Sequence, residues 1–338
     1  MSAQTDTSID NLEERFCEPE GWRWGTLKRQ DRQIRYGVSF PKDSTPDAIV
    51  VCLPGLSEFG EKYFELARDL NARNMAFWVL DWTGHGKSTR YFDKHPQKRH
   101  SRGFQNDVDD LHALYLDYIK HSSVHPDVGR IPRAMLAHSM GGNIGLHYLQ
   151  QHPETFDCAF FSAPMFGLKV FSALPNFIST GILGIMNLFY DTNYAPGQFD
   201  WHENARSENS KNIFSNDETR STLHHSWCSA KPELRTGGVT WRWLYEAAKS
   251  CTKLQDKKLI KTIQTHCVVA LAEHEDLVDN RATRKIAKNL PNAELLEFPG
   301  SRHELLMEQD KYRAPLLNSF QKLVKDRIID NPEALKTF

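Results

Sequence analysis

The chain has 338 residues, of which 40% are hydrophobic, 11% aromatic and 25% charged, and its formal net charge is −1. This apolar content excludes an intrinsically disordered chain, and the composition also excludes fibrous, collagen-like and small disulfide-stapled proteins. Because non-specific nucleic-acid binding requires a basic face, the near-neutral charge balance predicts no nucleic-acid partner.

The six cysteines are widely separated and form no C-x-x-C pair. This spacing is typical of free thiols in a reducing compartment rather than of a disulfide framework. Residues 1–15 are polar and lack an apolar stretch, so neither a signal peptide nor an N-terminal anchor is expected. We therefore expect a cytoplasmic protein.

Most of the chain alternates between predicted strands and helices. Residues 1–20 are predicted to form a flexible arm, and residues 21–164 and 266–338 a core that begins with a hairpin over 22–28 and 32–40. Further strands are predicted over 48–53, 76–82, 134–138, 158–162, 266–272 and 294–298, and helices over 63–73, 107–119, 141–151, 240–253, 281–289 and 311–329. Buried strands that alternate with helices predict an α/β fold with a mostly parallel sheet flanked by helices.

Residues 165–265 interrupt this alternation between two core strands. They begin with an apolar run over 165–190 whose only charged residue is Lys169. The run is long enough for a membrane-spanning helix, but Pro175, Gly181 and its position between two strands of one sheet argue against that interpretation. The segment is instead predicted to form an inserted cap, or lid, over the carboxyl edge of the sheet.

A strand–turn–helix motif stands at Ala137-His138-Ser139-Met140-Gly141-Gly142. Small residues on both sides of Ser139 allow the sharp turn of a nucleophile elbow, which presents the serine hydroxyl above the sheet. Ala137 occupies the position of the first glycine of G-x-S-x-G. The alternative is an ordinary loop before a helix, and the elbow interpretation requires an acid and a histidine further along the chain.

Both partners occur in the required order, each after a predicted buried strand. An acidic cluster with four candidate acids follows the strand over 266–272, and His303 follows the next strand. At the carboxyl edge of one sheet, His303 would accept the proton of Ser139 while a carboxylate orients the imidazole. The order of the residues alone leaves four candidates for the acid: Glu273, Glu275, Asp276 and Asp279.

Acyl transfer also requires donors for the oxyanion. The expected donors are the backbone N–H of Met140, directly after the serine, and that of Leu56, in the loop after the strand over 48–53. Many esterases have His-Gly in this loop, and Pro54 replaces the histidine here. The donors themselves are backbone groups, so the substitution is expected to affect how the loop is braced.

These motifs resemble those of the α/β-hydrolase family of lysophospholipases and monoacylglycerol lipases, most of all the bacterial inner-membrane-associated lysophospholipase type. The similarity covers about residues 20–325. The matching pieces, in chain order, are Pro54-Gly55 with Glu58, Glu65-Leu66-Ala67-Arg68, Asp81-Trp82-Thr83-Gly84-His85-Gly86-Lys87-Ser88, His138-Ser139-Met140-Gly141-Gly142, Ser162-Ala163-Pro164-Met165-Phe166-Gly167, Gly237-Gly238-Val239-Thr240-Trp241, Val278-Asp279-Asn280 and His303-Glu304.

The resemblance implies a function and an assignment of the acid. The family places the acid four residues before the second carboxylate of a D/E-x-x-V-D unit, which here selects Glu275, with Asp276 as the alternative. It implies a serine hydrolase that cleaves single-chain lipid esters, either lysophospholipid or monoacylglycerol, without a cofactor or metal. The apolar cap would bind the acyl chain, and its outer side would contact a membrane surface peripherally. The alternative is that its apolar residues only pack the core of the cap.

Two other functions remain as alternatives. One is a small-ester carboxylesterase or short-peptide aminopeptidase of the same fold. The other is a non-catalytic ligand-binding protein, because a fold does not fix an activity. The sequence assigns no oligomeric state.

Overall fold

A computed structural model describes residues 9, 12–125, 129–173, 176–203 and 212–330. Eight strands of these ranges form the main sheet: β1 Arg23–Lys28, β2 Gln33–Ser39, β3 Ala48–Leu53, β4 Met75–Leu80, β5 Arg133–His138, β6 Cys158–Ser162, β7 His266–His274 and β8 Ala293–Arg302. They lie in the order β1-β2-β4-β3-β5-β6-β7-β8. A separate small hairpin, Val124–His125 with Gly129–Arg130, precedes β5 in the chain.

The sheet is mostly parallel, as predicted. Only β2 runs against the others, pairing antiparallel with both β1 and β4, and all remaining neighbours pair in parallel. The register places Ala137 opposite Leu53 and His138 opposite Ser162. The carboxyl ends of β3, β5 and β6 therefore lie side by side at one edge, where α/β proteins bind ligands.

Eight longer helices connect or cover these strands in the described ranges: α1 Phe64–Asn71, α2 Phe104–Leu114, α3 Met140–Gln151, α4 Asn176–Tyr190, α5 Glu218–Ala230, α6 Trp241–Leu254, α7 Asn280–Asn289 and α8 Asp310–Val324. Shorter helical turns cover Glu14–Phe16, Gly60–Tyr63, Tyr115–Ile119, Lys120–Ser122, Lys169–Phe171, Pro232–Leu234, Lys257–Ile260, Leu305–Met307 and Lys325–Ile329.

The central strands are buried on both faces because an apolar layer covers each face of the sheet. In β3, Val50 and Cys52 pack on the side of α1 and α8, and Ile49 and Val51 pack on the side of α2 and α3. Alternate side chains of a strand point to opposite faces, so a continuous apolar run fills both layers. This rigid sheet supports the loops at its carboxyl edge.

The end of the predicted N-terminal arm lies against the core. Phe16 is fully buried in the layer that contains α1, and the Arg15 guanidinium is 3.3 Å from Glu65 Oε1. The prediction of a flexible arm thus differs from the structure at these residues, because an aromatic ring and an ion pair anchor them. Residues 1–8 and 10–11 of that arm lie outside the described part.

Within residues 165–265, α4 and α6 pack together, whereas α5 packs against the core. Trp227 of α5 contacts the ring of Phe64 in α1 at 5.8 Å between centroids, and the Arg220 guanidinium bonds both oxygens of Glu65. Pro175 and residues 204–211, which were also predicted to belong to the cap, lie outside the described ranges. Of the helices that the structure describes, none combines the length and the apolar character needed to span a bilayer.

Candidate active site

Ser139 occupies a sharp turn between β5, which ends at His138, and α3, which begins at Met140. Its backbone has φ +49° and ψ −116°, a region that non-glycine residues rarely adopt. The helix can start so close to the neighbouring strand only because Gly141 has no side chain: a Cβ there would collide with the carbonyl oxygens of Leu53 and Pro54. This is the geometry of a nucleophile elbow.

The turn that follows β6 holds the elbow in this conformation. The Ser139 N–H donates to the Ser162 carbonyl oxygen at 3.1 Å, and the Met165 N–H donates to the Ser139 carbonyl oxygen at 2.9 Å. The Asn143 side chain on α3 donates to the Met165 carbonyl oxygen at 2.9 Å. The Ala-Pro-Met-Phe-Gly piece of the sequence therefore braces the serine through its backbone.

The structure brings Ser139, His303 and Glu275 together in one chain of hydrogen bonds. His303 Nε2 lies 2.9 Å from Ser139 Oγ, and His303 Nδ1 lies 2.7 Å from Glu275 Oε2. An ionised carboxylate only accepts, so Nδ1 carries the proton and Nε2 is left to accept from the serine hydroxyl. The three side chains come from three separate loops at the carboxyl edge of the sheet.

The surroundings of Glu275 keep it ionised. Its other oxygen, Oε1, accepts the N–H groups of Leu277 at 2.8 Å and Val278 at 3.2 Å. Burial would raise the pKa of Glu275, but the charge and hydrogen bond of His303 and these two N–H donors lower it.

The opposite shift applies to His303, which is only 3% exposed. Burial would lower the pKa of His303, but the nearby carboxylates of Glu275, Glu304 and Glu58 raise it above its ordinary value. The site therefore favours an imidazolium once His303 has accepted a proton.

The other candidate acids serve different contacts. Asp276 Oδ1 lies 3.0 Å from the Lys169 ammonium near the surface, and Glu273 accepts the backbone N–H of Gly300 at 2.8 Å. Asp279 caps the first turn of α7. The geometry thus separates these three residues from the imidazole that Glu275 contacts.

Both predicted oxyanion donors belong to segments that adjoin the serine. Met140 is the first residue of α3, so its N–H has no acceptor within the helix. Leu56 follows Gly55, where an added Cβ would lie 3.0 Å from His138 Cδ2 and 3.2 Å from Ser139 Cβ. The loop after β3 therefore closes over the elbow. No group of three or more metal-ligating side chains is found among the described residues.

The loop that contains Pro54 is braced from two sides. The Trp82 indole N–H donates to the Pro54 carbonyl oxygen at 2.8 Å, and the Glu58 carboxylate accepts from the Gly55 N–H and the Tyr63 hydroxyl. These contacts brace the loop in which many esterases have a histidine at the position of Pro54.

A buried ionic cluster beside the site was not predicted from the sequence. The Lys62 ammonium lies 2.6 Å from Glu58 Oε1 and 2.7 Å from Glu304 Oε2. The spacing of Glu58 and Lys62 by four residues is the signal that could have indicated their contact. The third member, Glu304, is distant in sequence and is joined to them only by the fold.

The sheet order, the flanking helices and the serine elbow together define an α/β-hydrolase. Residues 44–310 match the family described as Serine aminopeptidase, S33, and the chain belongs to this family. It is therefore an enzyme of the serine hydrolase type, as the sequence predicted.

Its relatives include enzymes of lipid esters. The chain is 29% identical over 285 residues to lysophospholipase L2 of Escherichia coli (strain K12), a match that covers 81% of this chain and 79% of that protein. It is 28% identical over 131 residues to the monoglyceride lipase of Homo sapiens, which covers 38% and 39%. The predicted resemblance to this group is confirmed.

Solved structures share the fold. A soluble variant of monoglyceride lipase from Saccharomyces cerevisiae, in complex with a substrate analog, superposes with a TM-score of 0.68 at 16% identity, covering 90% of this chain and 96% of that one. The monoacylglycerol lipase of Paleococcus ferrophilus gives 0.62 at 15% identity, covering 87% and 99%. The predicted α/β-hydrolase fold is thereby confirmed.

Proposed function

We propose that this hydrolase cleaves carboxylic esters of single-chain lipids, lysophospholipids or monoacylglycerols, through an acyl-enzyme. The observation that carries the proposal is the continuous hydrogen-bond chain from Ser139 Oγ through His303 to Glu275, at 2.9 and 2.7 Å. Such a chain turns a weakly nucleophilic hydroxyl into an attacking group.

In the first step Ser139 Oγ attacks the ester carbonyl carbon while His303 Nε2 accepts the hydroxyl proton. The carbonyl oxygen becomes an oxyanion that accepts hydrogen bonds from the backbone N–H groups of Leu56 and Met140. The tetrahedral intermediate collapses, the bond to the alcohol breaks, and His303 returns its proton to the departing glycerol-containing alcohol. The acyl group is then esterified to Ser139.

In the second step water replaces the alcohol. His303 removes a proton from water as the oxygen attacks the acyl carbon, and the same two N–H groups stabilise the oxyanion. Collapse of this intermediate breaks the bond to Ser139, which regains its proton from His303, and the fatty acid leaves. Glu275 stays ionised throughout and stabilises the imidazolium.

The lipid part of the proposal rests on the relatives and on the cap. Helix α4 contains no charged residue over its 15 residues, and it lies in the insertion that follows β6, the strand beside the nucleophile strand. In this proposal α4 forms part of an apolar wall for the acyl chain, which favours substrates with a long hydrocarbon chain because each buried CH₂ group contributes about 0.8 kcal/mol.

A substrate panel tests this proposal. We expect kcat/KM for C12–C18 monoacylglycerols and lysophospholipids to exceed that for acetyl esters by at least ~10²-fold, since transfer of several CH₂ groups stabilises the bound transition state. The panel would be measured on purified protein below the micelle concentration of each lipid, with p-nitrophenyl acetate as the short reference ester.

The same panel separates the alternatives. Turnover that is indifferent to chain length would favour a small-ester carboxylesterase, and faster cleavage of aminoacyl arylamides would favour the aminopeptidase activity named in the family description. Binding of lipid without turnover of any substrate would leave a ligand-binding protein.

We further propose that the protein is a cytoplasmic enzyme peripheral to the inner face of the membrane. Its cap would contact the membrane surface, which is the source of single-chain lipids. On α4, large apolar side chains recur every three or four residues along one face and are exposed. They are Ile178, Ile182, Ile185, Leu188 and Phe189, with Leu188 78% and Phe189 76% exposed. An uncharged, apolar helix face suits shallow insertion between lipid headgroups.

The triple variant Ile185→Ser, Leu188→Gln, Phe189→Ser is expected to lower the affinity for phosphatidylcholine–phosphatidylglycerol vesicles by ~10²-fold, since each large side chain contributes about 1 kcal/mol when partly inserted. Vesicle co-sedimentation measures the affinity. Activity on p-nitrophenyl acetate should remain. The control replaces exposed apolar residues off the cap, Leu116→Gln with Ile329→Gln; equal loss of vesicle binding in both variants would exclude the cap as the contact.

A further inference from the structure

Lys62 is fully buried beside the active site, which is uncommon for an ammonium group. It lies 2.6 Å from Glu58 Oε1 and 2.7 Å from Glu304 Oε2, and both carboxylates are also buried. Taking such a charge out of water is unfavourable unless oppositely charged partners compensate it. One cation between two carboxylates leaves the cluster with a net charge of about −1.

The two carboxylates belong to two different loops of the site. Glu58 accepts from the N–H of Gly55, the residue before the proposed oxyanion donor Leu56. Glu304 directly follows His303 in the chain. Lys62 therefore links the loop that would bind the oxyanion to the loop that holds the imidazole.

We propose that Lys62 is a positioning residue for the acyl-transfer reaction: it clamps these two loops together and neutralises Glu58 beside the oxyanion. This role rests on the proposed triad chemistry, and it is independent of which ester is the natural substrate.

Gly55 lies between the Glu58 carboxylate and the nucleophile. The position that a Cβ of Gly55 would occupy is 2.9 Å from Glu58 Oε2 and 3.2 Å from Ser139 Cβ. A carboxylate at this range repels the negative charge that develops on the substrate oxygen, because a charge a few ångströms away in a buried site is poorly screened. The Lys62 ammonium cancels that repulsion without touching the substrate.

Glu304 affects His303, the general base of the reaction, rather than the oxyanion. It lies next in the chain to His303 and, like Glu275, its negative charge favours the imidazolium form. Charged and titratable groups from four segments surround His303. Glu275 follows β7, Glu304 follows β8, and Glu58 with Lys62 follows β3. His138 ends β5, and its ring centroid is 4.9 Å from that of His303.

The charge of the cluster can be changed in two ways. In Lys62→Met, Glu58 keeps its charge without a counter-ion, and we expect kcat for p-nitrophenyl acetate to fall by about 10²-fold with KM within about threefold. In the double variant Glu58→Gln with Lys62→Met, the repelling charge is gone and the amide oxygen can still accept from the Gly55 N–H. We expect kcat of the double variant to be at least about tenfold higher than kcat of Lys62→Met.

A purely structural role predicts a different relation between activity and stability. If Lys62 only supports folding, any rescue in the double variant comes from removing an unpaired buried charge, so kcat should follow the denaturation midpoint of the same samples in both variants. That result, or an unchanged kcat in Lys62→Met, would overturn the proposal.

Glu304→Gln provides an independent test should Lys62→Met not fold, since it retains the Lys62–Glu58 pair. His303 reacts when neutral, so kcat/KM of the wild type falls as the pH drops through a raised pKa of His303, above the ordinary value near 6.5. Removing one carboxylate should move this acid limb to lower pH by about 0.5–1 unit.

The matched control is Asp157→Asn, which breaks a buried ion pair with Arg130 at the amino end of β6, the opposite edge of the sheet. It should lower stability without moving the limb. An unmoved limb in Glu304→Gln, or the same movement in both variants, contradicts the proposal.

Rates with p-nitrophenyl acetate and labelling by a fluorophosphonate probe keep these tests separate from the lipid panel. If only the lipid substrates fail, the role of Lys62 stands. If Ser139 of the wild type is not labelled, the triad chemistry on which that role depends is absent.

Discussion

Replacing Ser139 with alanine is expected to lower kcat for ester hydrolysis by about 10⁶-fold, close to the loss seen when the nucleophile of a serine hydrolase is removed. The reason is that no other group on the elbow can form the acyl-enzyme. Binding should survive, because the loop donors and the cap remain. Residual turnover of about 10³-fold over water would come from the oxyanion donors acting on bound ester.

Labelling with a fluorophosphonate probe measures this loss directly. The chain offers a matched control in Ser250, a second buried serine that lies 2.9 Å from a histidine, His147 Nε2. The Ser250 hydroxyl donates to the amide oxygen of Asn143 instead, and Ser250 lies within α6 rather than on an elbow. Ser250→Ala should label like the wild type; labelling that persists in Ser139→Ala would reject Ser139 as the nucleophile.

The sheet was predictable because its central strands are apolar on both faces. The predicted bounds of β3 and β6 agree with the structure to the residue, since a short apolar run between turn residues has few alternative structures. Helix α5 was not predicted. Its sequence is rich in serine, threonine and histidine, and its buried apolar side chains are limited to Leu223, Trp227 and Cys228. Tertiary contacts of Arg220 with Glu65 and Asp310 stabilise the helix further.

For the candidate site, residue order limited the choices, and the resemblance to the family selected among them. Ser139 and His303 each follow a buried strand, so the sheet alone requires them to lie at one edge. The acidic cluster left four candidates, because adjacent residues at the end of a strand point in different directions. The family's D/E-x-x-V-D pattern pointed to Glu275, and the loop after β7 turns so that Glu275 contacts His303.

The comparison of Glu275→Gln with Asp276→Asn tests this selection, and we expect effects of very different size. In Glu275→Gln, kcat should fall by about 10⁴-fold, the loss found when the orienting acid of a triad becomes an amide. Oε1 of Glu275 accepts two backbone N–H groups, so the glutamine oxygen is retained there and its NH₂ group faces His303. The imidazole would then carry its proton on Nε2, where it can no longer accept the serine proton.

Asp276→Asn should change kcat by less than about threefold. Its carboxylate pairs with Lys169 and is 39% exposed, and ion pairs of this kind contribute about 0–1 kcal/mol. Steady-state rates on p-nitrophenyl acetate, with thermal unfolding of each variant as the check on folding, measure both effects. A larger loss in Asp276→Asn than in Glu275→Gln would assign the acid to Asp276. That result would require the loop after β7 to rearrange in the working enzyme, because Glu275 occupies the hydrogen-bonding position at His303 Nδ1 that Asp276 would need.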